Sequence, residues 1–130
     1  MMKKLLVIIL SLACLLLAAC GDSGLEFTTG EYVNDFSIDF SEEAINDKEQ
    51  IQQALDIFAE QEETDTQATG QPDHVVTIND LDNSTALVFA NIWTTDDQTL
   101  IYNSAGAEDT FYLITGENAD VLLGMIEELQ

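Results

Sequence analysis

Basic side chains are almost missing from this sequence. The chain has 3 lysine and arginine residues against 25 aspartate and glutamate residues, and its formal net charge is −22. Nucleic-acid binding requires clusters of lysine and arginine that neutralise phosphates, so this function class is excluded. The excess of acid has two explanations that the sequence leaves open. It forms either a solvated coat suited to a saline or alkaline exterior, or a surface that attracts cations or a basic partner.

Cysteine and histidine are equally scarce, with 2 cysteines and 1 histidine in the chain. Cys14 lies within an apolar N-terminal run and Cys20 lies just after it, so the rest of the chain has no cysteine for a disulfide, a thiol nucleophile or a metal site. His74 cannot build a zinc site alone, because such sites combine several His, Cys or carboxylate ligands. No serine lies in the Gly-x-Ser-x-Gly sequence of a nucleophile elbow. We therefore predict a protein that is not an enzyme and whose stability depends on packing.

The N-terminus has the pattern of an export signal. Lys3 and Lys4 precede an almost wholly apolar run at residues 5–17, and Leu-Ala-Ala-Cys, ending at Cys20, closes it. This order is typical of a bacterial lipoprotein signal peptide with a lipobox. The run is too short for an ordinary spanning helix, which needs about 20 apolar residues. We predict that residues 1–19 are removed and that Cys20 carries covalent lipid such as palmitate. An uncleaved membrane anchor is the alternative.

The predicted lipid also predicts the location and the domain organisation. It would anchor the protein at the outer face of the cell membrane, through acyl chains alone, because anionic headgroups repel an acidic surface. Residues 20–33 are predicted to comprise the lipidated cysteine, a flexible tether and an N-terminal arm that could instead be an edge strand. Residues 34–130 are predicted to form a single globular domain.

The pattern of apolar residues predicts an α+β fold. Phe36, Ile38 and Phe40 alternate with polar residues, as in a half-buried strand. Asp47 is placed to cap a helix whose apolar stripe contains Leu55, and residues 62–71 are interpreted as a loop. Further strands are predicted at residues 75–78, 86–93, 99–102 and 111–114, followed by a helix that Thr115 caps. We expect the order β-α-β-β-β-β-α, in which both helices pack on one face of a small antiparallel sheet of about five strands.

Four short segments resemble a known family. They are Asp47-Lys48-Glu49-Gln50-Ile51, Pro72-Asp73-His74-Val75-Val76, the strand that ends near Trp93, and Phe111-Tyr112-Leu113 before the last helix. Over residues 34–130 the chain resembles the YhfM-like domain of small lipoproteins from Gram-positive bacilli. The resemblance implies a domain with no assigned activity and no catalytic residues to transfer. This chain departs from the family in carrying acids where several lysines would be expected, which separates its surface from the family's.

One acidic segment is a candidate calcium site. Asp80, Asp82 and Ser84 place oxygen side chains at the first, third and fifth positions of a loop, as an EF-hand does. Thr85 then stands where the EF-hand needs glycine, and Asn91 where it needs glutamate, so an EF-hand is excluded. A weak calcium or other cation site at Asp80, Asp82 and Asn83 is the functional interpretation of this segment. A polar turn between two strands is the alternative, and we favour it.

Two aromatic residues form a candidate interaction surface. Trp93 and Tyr102 fall on neighbouring predicted strands, and together they would make a binding patch if both faced outward. Apolar residues occupy both faces of the strand that contains Trp93, so the sequence does not fix which way these side chains point. We favour burial of both in the core.

These observations predict a lipid-anchored, extracytoplasmic accessory or interaction module of the bacterial cell envelope. It would be non-catalytic, without a cofactor beyond the lipid, and its partner would be an envelope protein or a cationic component. The alternative is a weak calcium-binding or cation-binding surface lipoprotein. An envelope hydrolase is a remote alternative, and it would need a cleft that places His74 beside a serine or a carboxylate.

The substitution Cys20→Ala tests the lipid anchor. We expect it to abolish lipid labelling and signal-peptide processing, because the thiol is the predicted site of lipid attachment. The measurement is metabolic labelling with a palmitate analogue, combined with fractionation of membranes. Mutant protein that still carries the label and stays with the membrane would contradict the lipobox assignment.

Overall fold

The fold consists of an antiparallel sheet and two helices. The computed structural model of the chain describes residues 24–130. The helices are α1 (Lys48–Ala59) and α2 (Gly116–Glu128). The strands are β1 (Leu25–Asn34), β2 (Ser37–Phe40), β3 (Glu62–Thr64), β4 (His74–Asp80), β5 (Thr85–Thr94), β6 (Leu100–Ser104) and β7 (Ala107–Ile114). The α+β class and the antiparallel sheet that the sequence predicts are therefore confirmed.

The sheet has seven strands in the order β2-β1-β4-β5-β6-β7-β3, which is more than the expected number of about five. One addition is β3, which lies in the segment interpreted as a loop. Its residues are polar, but their backbone pairs with β7, with Glu63 opposite Tyr112. Backbone pairing at a sheet edge needs no apolar alternation, so the sequence pattern does not reveal this strand.

The other addition is β1, which the sequence analysis treats as an arm or an edge strand. It is an inner strand of the sheet. Its first part pairs with β4 from Leu25–Asp80 to Gly30–Val75, and its second part pairs with β2 from Gly30–Phe40 onward. Phe27 is fully buried beneath the helices, so this strand is part of the core.

Both helices begin where the sequence predicts. The Asp47 carboxylate accepts a hydrogen bond from the backbone N–H of Glu49 at 3.1 Å, which is a side-chain N-cap. Thr115 occupies the N-cap position of α2, but its side chain makes no capping hydrogen bond. Leu55, expected on the buried stripe, is only half-buried, because the buried face of α1 contains Ile57 instead.

The core is one apolar layer between the helices and one face of the sheet. Its largest fully buried side chains come from both sides of that layer: Phe27, Ile51, Ile78, Ile92, Leu100, Leu122, Ile126 and Val76. Within residues 24–130, no helix is long and apolar enough to cross a membrane.

The substitution Ile126→Asp should unfold the domain, because it places a carboxylate in the fully buried layer between α2 and the sheet. We expect a loss of unfolding free energy of roughly 3–5 kcal/mol. Leu55→Asp should cost less, because Leu55 is half-buried. Thermal unfolding of the full chain by circular dichroism measures both effects.

The matched control for this pair is Gln53→Asp, which adds the same charge at an exposed position of α1. Its melting curve should stay close to that of the wild type. An Ile126→Asp variant that melts like the Gln53→Asp variant would show that the assigned face of α2 is wrong.

Candidate interaction surface

The hairpin formed by β1 and β2 exposes large apolar side chains. Phe36, in its turn, is 95% exposed, Val33 is 63% exposed and Phe40 is 41% exposed. The only other exposed large apolar residues in the described chain are Leu81 and Leu87. A cluster of exposed apolar side chains with polar neighbours is typical of an interaction site.

A glycine allows this hairpin to close. A Cβ atom at Gly30 would lie 2.7 Å from Cγ2 of Ile38 and 2.9 Å from Cδ1 of Phe40, closer than carbon atoms can pack. The missing side chain therefore lets two side chains of β2 lie directly against the backbone of β1. Phe40 is also among the residues that line the adjoining cleft.

We call this space, between the β1–β2 hairpin and the C-terminal end of α2, the hairpin cleft. It has a volume of about 430 Å³. Its lining residues come from three elements and the segments beside them: Thr29, Gly30, Glu31, Tyr32, Val33, Asp39, Phe40, Ser41, Leu129 and Gln130. The lining thus combines apolar walls with hydroxyls, an amide and two carboxylates.

Thr29 contributes an unsatisfied hydroxyl to the hairpin cleft. The residue is only 3% exposed, and its Oγ1 atom is buried without any hydrogen-bond partner. A buried hydroxyl that lacks a partner destabilises a fold by about 1–3 kcal/mol. The fold therefore keeps this polar atom at a position where packing alone would favour an apolar side chain.

Two carboxylates on neighbouring strands lie opposite each other in the lining of the hairpin cleft. Glu31 of β1 lies directly opposite Asp39 of β2 in the strand register. Like charges in this arrangement destabilise a sheet. Gln130 Nε2 donates a hydrogen bond to Glu31 Oε1 at 3.1 Å, and the same nitrogen lies 3.3 Å from His74 Nδ1. This single histidine therefore lies beside the cleft, next to the α2 terminus.

A row of hydrogen bonds fixes the hairpin to the sheet on the face away from the helices. Tyr32 Oη donates to Asn91 Oδ1 at 3.2 Å, and Asn91 Nδ2 donates to Asn103 Oδ1 at 2.9 Å. Asn103 Nδ2 then donates to the carbonyl oxygen of Glu108 at 3.2 Å. Both asparagines are buried, so these bonds also satisfy polar groups that water cannot reach.

Tyr102, one of the two aromatic residues proposed for a surface, lies in the core. It is 3% exposed, and its hydroxyl donates to the carbonyl oxygen of Phe58 at 3.2 Å. Its ring meets Phe58 edge-on at 5.1 Å and stacks on Tyr112 at 5.2 Å. Burial, with a smaller effect of Tyr112, raises the pKa of Tyr102 to about 12.

Trp93 lies on the opposite face of the sheet from Tyr102. The register pairs Tyr102 with Ile92 and Trp93 with Ile101, so the two aromatic side chains point to different sides. Trp93 is half-buried against Phe111 at 5.8 Å, and its Nε1 donates to the carbonyl oxygen of Gly70 at 3.2 Å. The joint patch of Trp93 and Tyr102, which the sequence analysis gives as the alternative to burial, therefore does not form.

The candidate calcium residues form the turn between β4 and β5. Asp80 accepts two hydrogen bonds from Asn83, at 3.3 Å from its backbone N–H and at 2.7 Å from its side-chain amide. Asp82 lies beside Gly24 at the start of β1. Residues 81–84 thus form a turn between the two strands. The described residues contain no group of three or more His, Cys, Asp and Glu side chains arranged around a metal position.

Cys20, the predicted lipidation site, lies outside the described residues.

The raised pKa of Tyr102 predicts a pH-dependent stability. Because the folded pKa of about 12 exceeds the unfolded value of 10.0, the neutral phenol stabilises the fold fully below pH 10, and this contribution is lost as the pH rises towards 12. We expect Tyr102→Phe to reduce the fall in melting temperature between pH 10 and 12. Tyr32→Phe, at a half-buried phenol, is the control. If the melting temperature of the Tyr102→Phe variant falls between pH 10 and 12 by as much as that of the wild type, the prediction is wrong.

Comparison of the chain with protein-family models, curated proteins and solved structures finds no match. The resemblance to YhfM-like domains therefore stays a prediction from the sequence.

Proposed function

We propose that this protein is a lipid-anchored, non-catalytic interaction module of the bacterial cell envelope, and that the β1–β2 hairpin is its partner-binding surface. The observation that carries the proposal is the exposure of Val33, Phe36 and Phe40 together at this hairpin. Aromatic side chains that project from a surface are frequent anchors of protein interfaces.

The direction of β1 supports this assignment. The carbonyl of Gly24 accepts a hydrogen bond from the N–H of Leu81 at 2.7 Å, so the chain enters the sheet beside the β4–β5 turn. From there β1 runs for 10 residues to the hairpin, a distance of about 30 Å. The predicted tether between Cys20 and Leu25 spans at most about 18 Å. A lipid on Cys20 thus leaves Phe36 at the end of the sheet remote from the attachment point.

The charge around the hairpin supports a basic partner. Glu31, Asp35 and Asp39 lie in or beside the strands that carry the exposed apolar side chains. Among residues 24–130, Lys48 is the single lysine or arginine. An acidic rim around an apolar centre favours a partner with positive charge at the matching positions, which speeds association and selects against acidic competitors.

Photo-crosslinking tests the proposal. A benzoylphenylalanine residue at position 36 of the anchored full chain should form a discrete, light-dependent adduct with a basic envelope protein in intact cells. The same residue at position 81 is the matched control, because Leu81 is also a large exposed apolar residue but lies at the tether end. We expect no such adduct from position 81.

A second variant makes the crosslinking decisive. Val33→Ser, at a neighbouring exposed position, should weaken the adduct from position 36 several-fold if the hairpin forms the interface. Equal adducts from positions 36 and 81, or an adduct that Val33→Ser leaves unchanged, would contradict the proposed interface.

A further inference from the structure

We propose that the hairpin cleft receives a lysine side chain from the partner, with its ammonium group bound by Glu31, Asp39 and Thr29. This inference rests on the proposed interaction function and adds the chemistry of the bound group. It starts from two features that folding alone does not explain. Two carboxylates lie directly opposite each other on β1 and β2, and one buried hydroxyl has no hydrogen-bond partner.

The like-charge pair calls for a cation. Glu31 and Asp39 are directly opposite on neighbouring strands, where their Cβ atoms lie about 5 Å apart. Gln130 donates one hydrogen bond to Glu31, but an amide leaves the negative charge in place. A cation placed between the carboxylates converts their repulsion into two charge-assisted hydrogen bonds, which are about twice as strong as neutral ones.

Thr29 supplies the third acceptor. It precedes Glu31 by two residues on β1, so both side chains lie on the same side of the strand. Thr29 is among the residues that line the hairpin cleft, and its buried Oγ1 lacks a partner. A lysine ammonium has three hydrogen-bond donors on one nitrogen, whereas the planar arginine fork suits a single carboxylate. Three acceptors on two strands therefore match lysine better than arginine.

The walls of the cleft match the rest of a lysine side chain. Val33 and Leu129 line it together with the polar groups. A lysine covers apolar surface with its methylene chain while its charged end reaches polar groups. A bare metal ion would leave these apolar walls without a contact, so the lining favours an organic cation. The volume of about 430 Å³ lies at the lower end of the range for small-ligand sites, roughly 300–1,000 Å³.

The test is a peptide titration followed by NMR. The full chain, labelled with ¹⁵N and held in detergent, is titrated at pH 8 with the capped peptide Ala-Val-Lys-Val-Ala. We expect saturable shifts of the amide signals at residues 29–33 and 39–41. The same peptide with acetyl-lysine keeps the methylene chain but loses the charge. It should bind at least tenfold more weakly, since hydrogen bonds to a charged group are stronger than those between neutral groups.

Two variants separate a built site from a diffuse acidic coat. Glu31→Gln combined with Asp39→Asn should weaken binding of the lysine peptide at least tenfold. Glu63→Gln combined with Asp109→Asn removes the same charge from exposed positions elsewhere on the sheet and should weaken binding less than twofold. Equal weakening by both pairs, shifts that map outside the cleft, or no binding of the lysine peptide would overturn the proposal.

Thr29→Val tests the hydroxyl. Valine has a similar shape, so removal of an unsatisfied buried hydroxyl should preserve or raise the melting temperature. If the ammonium donates to Oγ1, the same variant should bind the lysine peptide several-fold more weakly. Undiminished binding in the Thr29→Val variant would remove Thr29 from the site.

The outcomes also distinguish this inference from the proposed function. If the lysine peptide fails to bind while the adduct from position 36 persists, the hairpin remains an interface and the lysine cleft is rejected. If calcium displaces the peptide, and if calcium alone shifts the same amide signals at a lower concentration than the peptide does, the cleft is a metal site. The lysine proposal is then overturned.

Discussion

The apolar layer between the two helices and the sheet supports everything else in this molecule. The chain after Cys20 has no cysteine, so no disulfide supplements that layer. The position of α2 follows from its buried face, where Leu122 and Ile126 are fully buried against the sheet. That packing brings Leu129 and Gln130 to the β1–β2 hairpin, where they form one wall of the hairpin cleft. The cleft is thus a result of core packing, although none of its charged groups belongs to the core.

The hairpin cleft combines features that lower stability. The opposed carboxylates of Glu31 and Asp39 repel each other, and the Thr29 hydroxyl is buried without a partner. A fold selected for stability alone would replace them, since apolar or oppositely charged residues fit the same positions. Local departures from stabilising patterns concentrate at functional sites in natural proteins. Their proximity within one cleft adds to the assignment that the exposed apolar side chains of the same hairpin carry.

The sequence predicts those elements that local pattern defines. The Asp47 cap marks the start of α1, and the Asp80–Asn83 turn was recognisable from its polar residues alone. Features that depend on which strands pair, and in which register, are not visible in the sequence. β3 has no apolar alternation, and the opposite orientations of Trp93 and Tyr102 depend on a strand phase that apolar residues on both faces obscure. The hairpin cleft was missed for the same reason, because only the register shows that Glu31 opposes Asp39.

The early position of β1 in the chain has a consequence for how the protein folds. The second part of β1 can pair with β2 early, but the first part, where Leu25 pairs with Asp80, has no partner until β4 has been synthesised. Pairings that close such long loops are slow to form, because chain entropy is lost before the contacts compensate for it. The sheet of this chain is therefore completed later than one built only from neighbouring hairpins. Slow folding of this kind suits a polypeptide that must pass unfolded through a translocation channel, as the predicted signal peptide would require.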